Sequence, residues 1–140
     1  MDERAAAEFV EAFATAWAAP SPDGLVALLA EDGVLIQPLS PRTVGRDRAR
    51  AEFARTLRFM PDLRATVHRW STAGEFLYID FTLSATFGGR PLAWDVVDRI
   101  TLRDGLVTER IAYFDGLALA LELAKRPRGL PALLAARLGR

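Results

Sequence analysis

The sequence contains no cysteine, and only one of its 140 residues, His68, is a histidine. The absence of cysteine excludes a disulfide, a thiolate nucleophile and a cysteine-ligated metal site. A single histidine also excludes a zinc site built from several histidines. Carboxylates, tyrosines and arginines must therefore carry any chemistry, and the sequence predicts neither a metal nor a cofactor.

The chain also lacks a net charge and a long hydrophobic run. Its 18 basic residues balance 18 acidic ones, so no general positive field attracts nucleic acid. No stretch reaches the ~18 consecutive apolar residues that indicate a membrane span, and residues 1–4 open without the apolar segment of a signal peptide. We therefore expect a cytoplasmic protein with no nucleic-acid partner and no stable membrane insertion.

What remains is the composition of one globular domain. Apolar residues make up 51% of the chain and charged residues 26%, which is unlike a disordered sequence. A length of 140 residues leaves room for one hydrophobic core. The sequence predicts a single domain over residues 1–140, with residues 117–140 as a C-terminal helical extension.

The first 60 residues are mainly helical in their periodicity. Apolar residues at helical spacing predict a helix over residues 3–18. Leucines at i, i+3 and i+4 predict a short second helix that begins at Pro22 and ends before Gly33. Residues 34–39 favour a brief strand, and residues 45–60 carry a third helical stripe.

From residue 62 the apolar period changes from 3.6 to 2. This alternation predicts strands over residues 62–70 and 75–87, and the glycine pair at 88–89 predicts a hairpin into a third long strand. Helices followed by a long antiparallel sheet indicate the α+β class. A curled sheet with helices across its open side forms a cone that encloses an apolar pocket.

The last predicted hairpin turns at residues 103–105, which suit a three-residue loop with glycine in the left-handed position. In this register Asp98 faces Arg110, and Trp94 faces Phe114. The hairpin thus places a carboxylate opposite an arginine on an otherwise apolar face.

The C-terminal extension is basic as well as apolar. Residues 125–140 carry five positive charges and no negative ones among leucines and alanines. This pattern fits a lid over the pocket, a dimer contact, a helix at a membrane surface or a solvated amphipathic extension.

The segment from Gly88 to Asp98, continued through Arg103-Asp104-Gly105 to Phe114, resembles the last two strands of ketosteroid isomerases. It is also similar to the wider SnoaL-like group of the NTF2-like superfamily. The resemblance implies an NTF2-like cone, a fold that hosts isomerases, polyketide cyclases, dehydratases and epoxide hydrolases. Because one fold supports many reactions, activity must be argued from the site.

Carried over to this chain, the isomerase pattern is only partly met. Asp98 falls on the aspartic acid of the isomerase oxyanion hole, and Asp95 and Phe114 also match. The oxyanion-hole tyrosine falls on Phe13, which has no donor. The general-base aspartate falls on Gln37, which cannot take a proton.

Limonene-epoxide hydrolases resemble the chain in its C-terminal third. Their catalytic Asp-Arg-Asp set, however, falls on Phe81, Leu83 and Ala112. The reaction that needs one carboxylate to activate water and another to protonate the epoxide therefore lacks its named residues.

Asp98 and Arg110 are the candidate catalytic residues. Burial on an apolar face should raise the pKa of Asp98 and let it act as an acid, a base or a neutral oxyanion donor. The alternative is a structural ion pair between the two side chains. Gln37 is a candidate orienting amide, with satisfaction of nearby backbone groups as its alternative.

The candidate walls of the binding pocket are apolar. For each residue alone, ordinary core packing is the alternative. The predicted substrate-binding set beside Gln37 comprises Trp17, Phe53, Leu57, Phe81, Trp94 and Phe114.

Two functions of different classes remain open. One is a SnoaL-like enzyme that isomerises, cyclises or hydrates a hydrophobic oxygenated small molecule, or opens its epoxide, by carboxylate acid–base catalysis. The other is a non-catalytic ligand-binding or dimeric interaction module. The residues at positions 13 and 37 favour the second, and Asp98 favours the first.

The outward face of the sheet predicts a homodimer. It carries four apolar or aromatic residues that no predicted helix covers, namely Tyr78, Val97, Ile111 and Tyr113. Strand parity also places His68 on the outward face, where we expect a surface or interface role unless a bulge reverses the parity.

Overall fold

The helix α1 extends over Glu3–Ala18 in the computed structural model, which describes residues 1–138. It begins where the Asp2 side chain accepts a hydrogen bond from the backbone N–H of Arg4. Its apolar stripe, which includes Phe13 and Trp17, is buried against the sheet. The predicted first helix is confirmed.

The second helix is shorter than predicted. Helix α2 covers only Pro22–Val26, and strand β1 occupies Leu29–Ile36. Helical spacing alone would carry the helix further, but the backbone N–H of Val107 donates to the carbonyl of Leu28 at 2.9 Å and draws the chain into the sheet. Strand pairing thus overrides the local helical pattern.

The sequence did not predict the two-residue strand β2 at Thr43–Val44, which pairs with β1. Helix α3 at Arg46–Phe59 and the four long strands follow in the predicted order. The long strands are β3 at Arg64–Ala73, β4 at Phe76–Phe87, β5 at Arg90–Arg103 and β6 at Leu106–Tyr113.

The six strands form one sheet in the order β2-β1-β6-β5-β4-β3. Its neighbours pair antiparallel, except that β1 runs parallel to β6. Buried residues of α1 and the inner sheet face share one apolar core. The α+β class and the unclosed, curved sheet of an NTF2-like cone are confirmed.

The register of the β5–β6 hairpin differs from the prediction. The turn has two residues, Asp104 and Gly105, both with positive φ, as type I′ turns require. An irregularity between Thr101 and Leu102 then shifts the pairing. The prediction that Asp98 faces Arg110 is therefore wrong: Asp98 faces Ala112, and Arg110 faces Ile100.

The same shift in register shows that the second predicted pair, Trp94 opposite Phe114, is also wrong. Val97 lies opposite Tyr113, so Trp94 and Phe114 are not direct cross-strand partners. Their rings still approach diagonally, with centroids 6.5 Å apart.

The C-terminal extension folds back onto the domain. Helix α4 at Gly116–Ala124 leads through a 3₁₀ turn at Pro127–Gly129 into helix α5 at Leu130–Arg137, which packs on α3. The last two residues of the predicted extension, 139 and 140, lie outside the described residues. Within residues 1–138 no helix is both long and apolar enough to cross a bilayer.

A buried arginine fastens this extension to the β4–β5 hairpin. Arg126 donates hydrogen bonds to the carbonyls of Phe87, Arg90 and Pro91 at 3.1, 2.9 and 3.0 Å. Gly129 lies so close that an added Cβ would be 2.5 Å from the Phe87 ring. The segment is thus docked on the β4–β5 hairpin and on α3, and none of its residues up to position 138 lines the cavity described below.

Candidate functional site

Asp98 lies on the inner face of β5, between Val96 and Ile100, because alternate residues of this strand point into the core. Its side chain is 0% exposed, and neither carboxylate oxygen has a hydrogen-bond partner within the part of the chain that the structure describes. Burial raises the pKa of Asp98 to about 6, although the positive charge of Arg110 acts in the opposite direction. Asp98 can therefore exchange a proton near neutral pH.

Arg110 approaches from β6 and is joined to Gln37. Its Nη2 donates a hydrogen bond to Gln37 Oε1, and Gln37 Nε2 donates to Ser40 Oγ at 3.2 Å. The parallel pairing of β1 with β6 brings these residues together across 73 positions of sequence. Among residues 1–138, Asp98 and Arg110 form no ion pair within 4.0 Å, so the alternative of a direct structural ion pair is not what the structure shows.

A small cavity of about 20 Å³ lies between α1, α2, α3 and the inner sheet face. This volume holds roughly one water-sized group. Of the predicted site residues, Trp17, Phe53 and Arg110 line it. The other lining residues are Phe9, Phe13, Leu25, Leu28, Leu29, Leu35, Ile100 and Val107.

The remaining predicted wall residues do not line the cavity. Phe81 is buried edge-on against Phe13, with ring centroids 5.3 Å apart. Leu57 packs against the core, and Trp94 contacts Phe114. The Nε1 of Trp94 is a further buried polar atom that finds no acceptor among the residues described.

Sequence reasoning missed the part of the lining contributed by α2 and the segment after it. The spacing of Leu25, Leu28 and Leu29 marks an apolar stripe, but only the turn into β1 directs that stripe into the cavity. The signal was present in the sequence, although its direction depends on tertiary pairing.

His68 lies on the outer face, as expected, and is exposed. Its Nε2 is 2.7 Å from the Thr82 hydroxyl, which donates to Asp95 Oδ1 at 2.7 Å. A bulge after Val67 reverses the parity of the residues that follow, so Trp70 packs against the core. His68 is therefore remote from the cavity.

A metal would need ligands that this site does not bring together. Across residues 1–138, no three histidine, cysteine, aspartate or glutamate side chains form a candidate metal cluster. Of the three predicted polar site residues only Arg110 lines the cavity, whereas Asp98 and Gln37 are not among its lining residues.

Several solved structures share this fold. A protein with a ketosteroid isomerase-like fold from Catenulispora acidiphila, crystallised with trimethylamine, is 24% identical with a TM-score of 0.75 over 86% of this chain and 95% of that one. A protein assigned as a SnoaL-like polyketide cyclase from Jannaschia sp. CCS1 is 20% identical, with a TM-score of 0.74 over 86% and 92%. IdmH, assigned as a polyketide cyclase of Streptomyces antibioticus, is 20% identical, with a TM-score of 0.71 over 85% and 98%.

The sequence comparisons give one family. No curated protein sequence matches the chain significantly. The model of the SnoaL-like domain matches residues 10–110, which span α1 to the middle of β6 and include both Asp98 and Arg110. This chain therefore belongs to the SnoaL-like domain family.

Proposed function

We propose that this protein is an enzyme that isomerises, cyclises or hydrates a hydrophobic oxygenated small molecule, or opens its epoxide, by carboxylate acid–base catalysis. The observation that carries the proposal is the fully buried Asp98, whose two oxygens lack any partner in residues 1–138. Buried polar groups normally have a hydrogen-bond partner, and an exception calls for an explanation. A ligand that exchanges a proton with Asp98 supplies one, but it must first move neighbouring side chains, because Asp98 does not line the cavity.

Asp98, Arg110 and Gln37 have different roles in this proposal. Asp98, with a pKa of about 6, takes a proton in its ionised form and returns it in its neutral form. Arg110 stabilises negative charge that develops on a substrate oxygen. Gln37 holds Arg110 in place through its amide oxygen.

The size of the cavity sets a condition on this function. A space of about 20 Å³ is far smaller than pockets that bury a drug-sized ligand, which measure roughly 300–1,000 Å³. Substrate entry must therefore displace lining side chains such as Trp17 and Phe53, whose rings contact each other edge-on with centroids 6.3 Å apart.

The same small cavity favours a second candidate, a non-catalytic ligand-binding module. Phe13, at the position where the isomerase pattern has a donor, is buried among aromatic rings and lines the cavity without any polar group. The two candidates differ in one observable, because a binding module binds apolar ligands without converting them.

We expect an apolar ligand with one or two oxygens to bind more tightly than a nucleotide or sugar phosphate. Burial of apolar ligand surface contributes roughly 25 cal/mol to the binding free energy for each Å² removed from water. A polyanion would lose the hydration of several charges and gain only one arginine as a partner. Thermal-shift and calorimetric titrations with steroid or terpenoid ketones, compared with nucleotides, measure this preference. Tight nucleotide binding without a response to the ketones would contradict the proposed function.

We also propose that the protein is a homodimer through the outer sheet face. Val97 and Tyr113, which face each other across β5 and β6, are 38% and 50% exposed. An apolar face of this kind is typical of an interface. Light scattering at micromolar concentration should give twice the monomer mass, and charge placed at this pair by Val97→Glu should restore the monomer. A stable wild-type monomer would refute the dimer.

A further inference from the structure

Arg110 is buried without enough hydrogen-bond acceptors. Its guanidinium group carries five N–H donors, yet the residue is only 8% exposed. Gln37 Oε1 is the one acceptor that it contacts among the described residues, and its Nε is buried without a partner. A desolvated guanidinium normally has several acceptors, because a buried donor without an acceptor destabilises the folded state.

The partner that Arg110 does have is neutral. The amide oxygen of Gln37 accepts a hydrogen bond from Arg110, and its amide nitrogen donates one to Ser40. A carboxylate at this position would form a buried ion pair and cancel the charge of the arginine. The positive charge of Arg110 acts on Asp98, but Asp98 accepts no hydrogen bond from Arg110. The guanidinium therefore keeps donors available for another acceptor.

Arg110 also borders the cavity. Ten apolar residues complete the lining, and Arg110 is the one charged residue among the described residues that line it. A ligand that enlarges this space of about 20 Å³ by displacing side chains meets a single positive group within an apolar wall. This combination suits an apolar molecule with one anionic oxygen group, and it disfavours polyanions, whose further charges would lose hydration without a partner.

We propose that Arg110, positioned by Gln37, binds the single carboxylate or carboxylate-like oxygen anion of an otherwise apolar ligand. Gln37 is then a positioning residue that sets specificity, since its neutral amide orients the guanidinium without cancelling its charge. The inference rests on the proposed function in using the same cavity, but it concerns binding rather than turnover.

The test compares 2-naphthoate with 2-naphthamide, which share one apolar skeleton and differ in charge. Calorimetric titration of the wild-type protein should show about tenfold tighter binding of the acid, because a charged acceptor strengthens hydrogen bonds by about 1–1.5 kcal/mol. Gln37→Glu should abolish this preference and still bind the amide. Arg110→Met, which keeps the apolar stem, should also abolish it.

Arg103 provides the matched control. It is an exposed arginine of β5 that pairs with Asp32, so Arg103→Met should retain the preference for the acid. Equal binding of both probes by the wild type, no binding of either probe, or a preference that survives in Gln37→Glu would overturn the proposal. If Arg110→Met does not fold, Gln37→Glu still decides.

Asp98→Asn separates this inference from the proposed function. Removal of the nearby carboxyl group should tighten binding of 2-naphthoate and leave 2-naphthamide unchanged, whatever happens to turnover. A preference for 2-naphthoate without any turnover would support the anion site and refute the proposed enzymatic function. Turnover that requires Asp98, without any preference for the acid, would support the proposed enzyme and refute the anion site.

Discussion

Asp98→Asn is expected to abolish turnover and, at neutral pH, to make the fold more stable. An amide keeps the shape of the side chain but cannot exchange a proton, and loss of a general acid or base typically lowers the rate by about 10²–10⁴. Turnover of a responsive ketone or epoxide by wild type and variant measures the first effect. Unchanged turnover would assign Asp98 to structure.

The stability effect follows from the raised pKa of Asp98. Folding moves this pKa from 3.8 to about 6, so the folded state holds its proton more tightly than the unfolded state. The favourable contribution is fully present below pH 3.8 and is lost as the pH rises through 6, where the buried carboxylate must ionise. The shift corresponds to about 3 kcal/mol in the free energy of unfolding.

Urea denaturation at two pH values checks the sign. Asp98→Asn should match the wild type near pH 4 and exceed it at pH 7.5 by up to about 3 kcal/mol. Asp95→Asn is the matched control, since Asp95 lies on the exposed outer face of the same strand and should change neither stability nor turnover. A loss of stability in Asp98→Asn at pH 7.5 would show that the carboxylate is satisfied in solution.

Arg126→Met is expected to release the C-terminal extension. The substitution keeps the apolar stem but removes the hydrogen bonds to three carbonyls of the β4–β5 hairpin. The bond to Phe87 is buried and the other two are half-buried, so their loss should weaken the attachment of residues 125–138 by about 1–3 kcal/mol. Hydrogen exchange of the Gly129 amide, which bonds to the carbonyl of residue 126 at 3.0 Å, reports the detachment.

Arg128→Met is the control for this experiment, because Arg128 lies two residues further along the same segment and is exposed. Faster exchange and trypsin cleavage of the extension should appear in Arg126→Met alone. Gly129→Val offers an independent route to the same state, since its side chain would overlap the Phe87 ring. Undiminished protection in both variants would show that packing of α5 on α3 is sufficient.

Local patterns predicted the elements whose neighbours in sequence decide them. The stripe of α1, the alternation of β4 and the inward position of Asp98 all follow from periodicity, and the structure confirms them. The predicted length of α2 is wrong because residues 29–36 pair with β6, which is distant in sequence, instead of continuing the helix.

The geometry of the site depended on details that periodicity does not contain. The two-residue turn and the irregularity after Thr101 each shift the register by one residue, and together they move Arg110 from opposite Asp98 to opposite Ile100. The bond between Gln37 and Arg110 spans 73 residues and exists only because β1 lies parallel to β6. Residue types were thus predictable, but their partners were not.

The parallel pairing of β1 with β6 also determines when the site can form during folding. The hairpins β3–β4, β4–β5 and β5–β6 join neighbours in sequence and need only short loops to close. Gln37 and Arg110 meet only after a loop of 73 residues has closed, which is entropically unfavourable until the hairpins exist. We therefore expect nascent chains to complete their sheet from the C-terminal hairpins and to assemble the arginine site in the last, slowest step.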